Sequence, residues 1–197
     1  MSFQLSFFFL FAVLFTQPAL ADDRTKVIDY QSLDFSCAVV NEAYVKTHTS
    51  ETFSVDIQKV ETDDSSKPFI ALRVSKPFWF RKYSYSKKWT RFDTETWSLK
   101  DRDDPKFTDC QLLGDVLLDK VPTKHISARW HQFPFNADIE IWISIAHGRL
   151  IRTLRKYDEP RQFSSPSVLE LYDYNPASAS PPLSTSSNDS HSAAGGS

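Results

Sequence analysis

The sequence predicts an all-β domain: an antiparallel β-barrel or sandwich of about eight strands, with one short helix possible and a disordered C-terminal tail. Three observations lead there. Apolar and polar residues alternate along many short segments. Turn-forming residues separate those segments at intervals of roughly ten to twenty residues. No long stretch carries helical periodicity, which argues against an α/β enzyme fold.

The chain opens MSFQLSFFFLFAVLFTQPALADD. Residues 7–15 are an unbroken apolar run of nine, against the roughly 20 residues a bilayer span requires. Ala19-Leu20-Ala21 is a small-x-small cleavage pattern. Residues 1–21 therefore read as a secretory signal peptide, although no Lys or Arg precedes the apolar run. The mature chain of 176 residues is long enough for one domain, placed at 22–174. It carries no further segment long and apolar enough to cross a membrane.

Export makes the two cysteines, Cys37 and Cys110, an expected disulfide. The bridge would close a loop of 72 residues, for which chain entropy gives roughly 4 kcal/mol. The formal charge of −2 argues against wholesale attraction to nucleic acid or to a membrane. A polyanion site would have to be a local patch.

The strand signals run as follows. Leu33, Phe35, Cys37 and Val39 alternate with polar or small neighbours. Phe53, Val55 and Ile57 do the same, as do Ile70, Leu72 and Val74. Ile139, Ile141, Ile143 and Ile145 share one parity, with Glu140, Trp142 and Ser144 on the other. Further strands are expected at 78–85, 89–99 and 168–174. Residues 138–146 and 149–157 form a hairpin through His147-Gly148, because Gly adopts positive φ without penalty and His is among the few others that visit it. Breaks fall at 47–51, 62–67, 101–105, 133–136 and 158–160, where Asp, Ser, Asn and Pro supply turns. The segment 110–121 places Leu113, Leu117 and Val121 four apart, which suits a helix, but it also reads as a strand followed by a turn at Pro122. The strand reading is preferred. Residues 175–197 are Ser, Ala, Pro and Gly with little to bury, and read as a disordered tail. Asn188-Asp189-Ser190 within it is an N-glycosylation sequon.

Signatures of enzyme chemistry are weak. There is no G-x-S-x-G, and four glycines leave no phosphate-cradling loop. His125 and His131 are six apart with no nearby Cys, which is not metal-ligand spacing, so no metal or cofactor is assigned. The acid pairs Asp63-Asp64 and Asp103-Asp104 sit in turn-like segments.

The strongest functional signal is KPFWFRKYSYSKKWTR, residues 76–91, with six aromatic and six basic residues and no acid. Its odd positions line up Trp79, Arg81, Tyr83, Tyr85, Lys87 and Trp89. A second basic cluster on 149–161 includes Arg152, which is expected to share that face. Trp and Tyr stripes mixed with cations suit stacking on sugars, aromatic ligands or a protein surface. These seven residues are the ligand-binding candidates. The expectation is an exported, non-enzymatic β-domain that binds a ligand or protein partner through this face, without nucleic acid. The alternatives are a hydrolase with a site near His125 and His131, or a structural surface component. The early Gly-x-Trp of a lipocalin is absent, since Gly114 is the first glycine.

Overall fold

The computed structural model describes residues 34–61, 65–93, 106–132, 134–159 and 165–180. The signal peptide, Asn188, the break at 101–105 and most of the tail lie outside these residues.

Nine strands form one antiparallel sheet: β1 (Thr52–Val60), β2 (Ser66–Ser75), β3 (Phe78–Tyr83), β4 (Thr90–Asp93), β5 (Lys106–Leu118), β6 (Val121–Gln132), β7 (Phe135–Ser144), β8 (Leu150–Tyr157) and β9 (Ser167–Asp173). Their order is β4-β3-β2-β1-β9-β8-β7-β6-β5. Two meanders, β1–β4 and β5–β9, are thus joined where β1 pairs with β9. The expected antiparallel all-β class and the short helix are both present, in one sheet with β4 and β5 as its outermost strands among the described residues.

Strand parity assigns the two faces. Val55 pairs with Leu72 and Tyr172, and Leu72 with Arg81, while Ile141 pairs with Ile126 and Thr153. Following these registers places Phe53, Val55, Ile57, Val74, Ile139, Ile141, Ile143 and Val168 on one inner face. There α1 (Ala38–His48) buries Val40 and Ala43 against Ile126, Ile139, Ile141 and Ile143. Thr47, near the end of α1, accepts from the Leu150 amide (2.9 Å) and lies 2.9 Å from the Tyr174 hydroxyl, which donates to the Leu150 carbonyl (2.8 Å).

The segment around Cys37 is helical, correcting the strand expected from Leu33, Phe35, Cys37 and Val39. Phe35–Cys37 form a 3₁₀ turn that leads directly into α1. The Asp34 carboxylate accepts from the Ser36 amide and reaches across to accept from the Asp109 amide, both at 2.9 Å. Those two amides hold the Asp34 carboxyl below its ordinary value, the Asp109 bond most of all. The buried positions Cys37, Val40, Asn41, Ala43 and Thr47 follow three- and four-residue spacing, the helical period that the local alternation masked. Cys37 bonds Cys110 on β5, with Cα atoms 5.1 Å apart, so the expected disulfide staples the start of α1 to the sheet.

Residues 110–121 fall in strand β5 and the turn after it, the preferred reading. The turn is at Asp119-Lys120, both at positive φ, and Pro122 lies inside β6. A spacing of four, as between Leu113 and Leu117, fits strand period two as well as a helix, and both are exposed on β5, whose register shifts between Leu112 and Gly114 with Gly114 at φ 145°. The β7–β8 hairpin forms as expected, but its loop spans residues 145–149 rather than two residues. Gly148 at φ 61° donates to the Ser144 carbonyl. Past the expected boundary at 174, α2 (Pro176–Ala179) forms a helical turn capped by Asn175, whose side chain accepts from the Ala177 amide. Ser54, on the outer face of β1, donates to Ser178 of this turn.

Candidate functional site

The strand β3, FWFRKY, is composed of residues that fit a pleated, half-buried surface. Its parity puts Trp79, Arg81 and Tyr83 on the inner face, continuing cross-strand rows of apolar side chains. Phe53, Val74, Trp79 and Phe92 form one row; Val55, Leu72 and Arg81 form the next; Ile57, Ile70 and Tyr83 form the third. Trp79 stacks on Phe92 with centroids 4.2 Å apart and planes 16° apart. The Arg81 guanidinium lies 5.0 Å from the Phe92 and Tyr83 centroids and 5.8 Å from Trp79. Tyr83 in turn stacks on Tyr85 at 5.2 Å.

Two arginines lie on the inner face, and their surroundings differ. Arg155 is paired with the buried Glu170, to which Thr153 and Tyr172 also donate at 2.8 Å. The Arg155 guanidinium lies 4.9 Å from the Trp130 ring. Burial pushes the Glu170 carboxyl up, but Arg155, Thr153 and Tyr172 together outweigh it and hold it below the usual carboxylate range. Burial likewise opposes the Arg155 charge, and Glu170 reverses that effect. Arg81 has no such partner: no carboxylate lies within ion-pair distance of it among the described residues, and its Nε, like those of Arg152 and Arg155, is buried without a hydrogen bond. Ring faces attract a guanidinium but do not neutralise it.

The other sequence candidates are distributed differently. Tyr85 and Lys87 lie beyond the end of β3, in the loop to β4, and Tyr85 is 81% exposed. Trp89 packs on the opposite side of the sheet, between Arg73 (5.5 Å) and Lys82 (5.4 Å), both of which have outer-face parity. Arg152 also has outer-face parity and lies 4.9 Å from the Trp142 ring, which stacks on His125 at 4.3 Å. The expected single stripe of seven is thus an inner group of three, a loop pair and two separate outer residues. Phe92 completes the inner group. It lay inside the predicted strand 89–99, and its pairing with Trp79 depends on the β3–β4 register, which one sequence does not show.

The residues named for hydrolytic chemistry also separate. His125 and His131 share the outer face of β6. His125 Nε2 meets Glu140 at 3.0 Å, while His131 contacts Thr108 (3.3 Å) and Asn136 (2.8 Å). A groove of about 380 Å³ on that face is lined by Ser127, Arg129, Asp138, Glu140 and Lys156 among others. Its charges are internally paired, Arg129 with Asp138 and Asp158, and Glu140 with Lys156 and His125.

No family model matches the chain, and no curated protein matches it significantly. Solved structures similar to it include the Mycobacterium tuberculosis lipoprotein LppX, 12% identical over 70% of this chain and 93% of its own length, with a TM-score of 0.43. MucB, solved in complex with MucA(peri), is 9% identical over 70% of this chain and 53% of its own length, with a TM-score of 0.35. The present chain thus spans about half of MucB, and at these values neither likeness assigns a family or a ligand. No helix among the described residues is long and apolar enough to cross a membrane.

Proposed function

We propose that this is an exported, non-enzymatic β-domain whose inner-face patch binds a ligand or partner group bearing a negative charge on an aromatic or apolar body. The observation that carries the reading is Arg81: a half-buried cation among Trp79, Tyr83 and Phe92 with no acid beside it, on the face where Arg155 holds Glu170. Burying a charge without a partner is costly, and an anionic group seated on the three rings would relieve that cost with a charge-assisted hydrogen bond. The adjoining Leu72, Ile70 and Ile57 extend the apolar floor. Export is supported by the leader sequence and by the disulfide, which suits an oxidising compartment.

The test is to titrate the mature chain with 8-anilinonaphthalene-1-sulfonate, an aryl sulfonate, and with sulfated and phosphorylated sugars, following heat or fluorescence. The wild type binds at least one of these, and Trp79→Ala and Tyr83→Ala each weaken that binding by roughly 1–2 kcal/mol, as expected for loss of an aromatic stacking partner. Wild-type binding that survives both substitutions unchanged places the site elsewhere.

A further inference from the structure

The charge on this chain is unevenly placed. Residues 66–93, which hold β2, β3, β4 and their turns, contain eight Lys or Arg and one acid, Asp93. This flap therefore carries +7, whereas the other described residues hold 10 Lys or Arg against 14 Asp or Glu. The net charge of −2 conceals a locally cationic flap; Lys67, Arg73 and Lys76 are paired with Glu61, Asp56 and Glu51, and a cationic patch of this kind attracts an oppositely charged surface.

The apex of the flap is the loop 84–89, Ser-Tyr-Ser-Lys-Lys-Trp. It is tied down by the Ser84 amide donating to the Phe69 carbonyl and the Ser86 amide donating to the Tyr83 carbonyl, both at 2.9 Å. The Ser86 hydroxyl also donates to the Lys88 carbonyl and accepts from the Lys88 amide, at 3.2 and 3.1 Å. From this fixed turn project exposed Tyr85, Lys87 and Lys88, and neither lysine holds an acid among the described residues. Trp89 follows between Arg73 and Lys82.

We propose that the 84–89 apex docks the protein on a bilayer surface rich in anionic headgroups, with Lys87 and Lys88 on the phosphates and Tyr85 and Trp89 at headgroup level. Amphipathic rings are favoured at that depth, and each basic residue near an anionic leaflet adds a modest electrostatic attraction. The apex has no aliphatic residue to drive insertion, so the contact is peripheral, reversible and sensitive to salt. Two adjacent cations at a hairpin apex meet a plane, whereas a soluble polyanion is tracked by cations along a groove. Apart from Tyr85, whose ring stacks on Tyr83, this docking uses side chains other than the inner-face patch, and its lysine and Arg81 variants separate the two.

The experiment is co-sedimentation of the mature chain with vesicles of phosphatidylcholine alone and of phosphatidylcholine with 30% phosphatidylglycerol, at low and high salt. Binding is expected only with the anionic lipid, and to weaken as salt rises. Lys87→Gln/Lys88→Gln should lower it by about fivefold per lysine, while Arg81→Gln leaves it within about twofold. Lys87 and Lys88 are exposed, and circular dichroism of each variant checks that it folds. Equal binding to neutral vesicles, no binding to either vesicle, an unaffected double-lysine variant, or capture by soluble polyglutamate without vesicle binding each overturns the proposal.

Discussion

Replacing Glu170 with Gln leaves the Arg155 guanidinium buried beneath α1 with its charge uncompensated. Thr153 and Tyr172 keep an acceptor of similar shape, so the change isolates the charge. Breaking a buried pair by removing one partner costs about 3–5 kcal/mol. With a urea slope of about 1–3 kcal/mol/M for small domains, the unfolding midpoint should fall by roughly 2 M. The companion variant Arg155→Met/Glu170→Gln removes both charges and should recover to within about 1–2 kcal/mol of wild type, because replacing a buried pair by neutral groups is often close to neutral. Tryptophan fluorescence follows the transition, since Trp130 lies against Arg155 and Trp142 is on the neighbouring β7. A loss below about 1 kcal/mol for Glu170→Gln would mean that water screens the pair, and the contrast drawn between Arg155 and Arg81 would lose its basis.

Three further outcomes follow. Cys37→Ala/Cys110→Ala should cost roughly 4 kcal/mol if loop entropy dominates, and peptide mapping without reductant should link the two cysteines; two free thiols would defeat the assignment. His48, packed on Tyr44 and Phe53, has its imidazole pushed down to about 4 by burial, with Arg155 adding to this and Glu170 opposing it. The unfolded chain takes up that proton first, so stability should fall as pH drops from about 6.5 to 4, by up to roughly 3 kcal/mol. The Glu170 contribution is lost at still lower pH; a melting temperature that is flat across 6.5 to 4, or as steep in His48→Gln, contradicts this. Light scattering of the mature chain should report a concentration-independent monomer if the domain acts as a binding module rather than an oligomeric surface component.

Much of the sheet was legible because one face is apolar and strand period is two. Ile139, Ile141 and Ile143 are buried as their parity requires, and Gly148 marks the hairpin. The helix α1 was not legible from the stretch around Cys37, where an accidental alternation of Phe35, Cys37 and Val39 overlies the helical spacing of Cys37, Val40, Asn41 and Thr47. In β5 the four-residue spacing of Leu113 and Leu117 fits a strand as well as a helix, so the pattern alone did not decide between them. For the candidate site, parity within β3 was enough to group Trp79, Arg81 and Tyr83. It could not carry across the 84–89 loop, which returns Trp89 on the outer side, nor across the sheet to Arg152, whose face depends on the intervening registers.

The central claim is that Arg81, not the other cations of the stripe, is the anion-binding side chain. Titration calorimetry of an aryl sulfonate against wild type, Arg81→Gln and Arg152→Gln tests it most directly. A charge-assisted hydrogen bond of about 1.5–3 kcal/mol predicts an affinity loss of roughly ten- to a hundredfold for Arg81→Gln, with Arg152→Gln close to wild type. Equal losses in the two variants, or none in Arg81→Gln, would contradict the account.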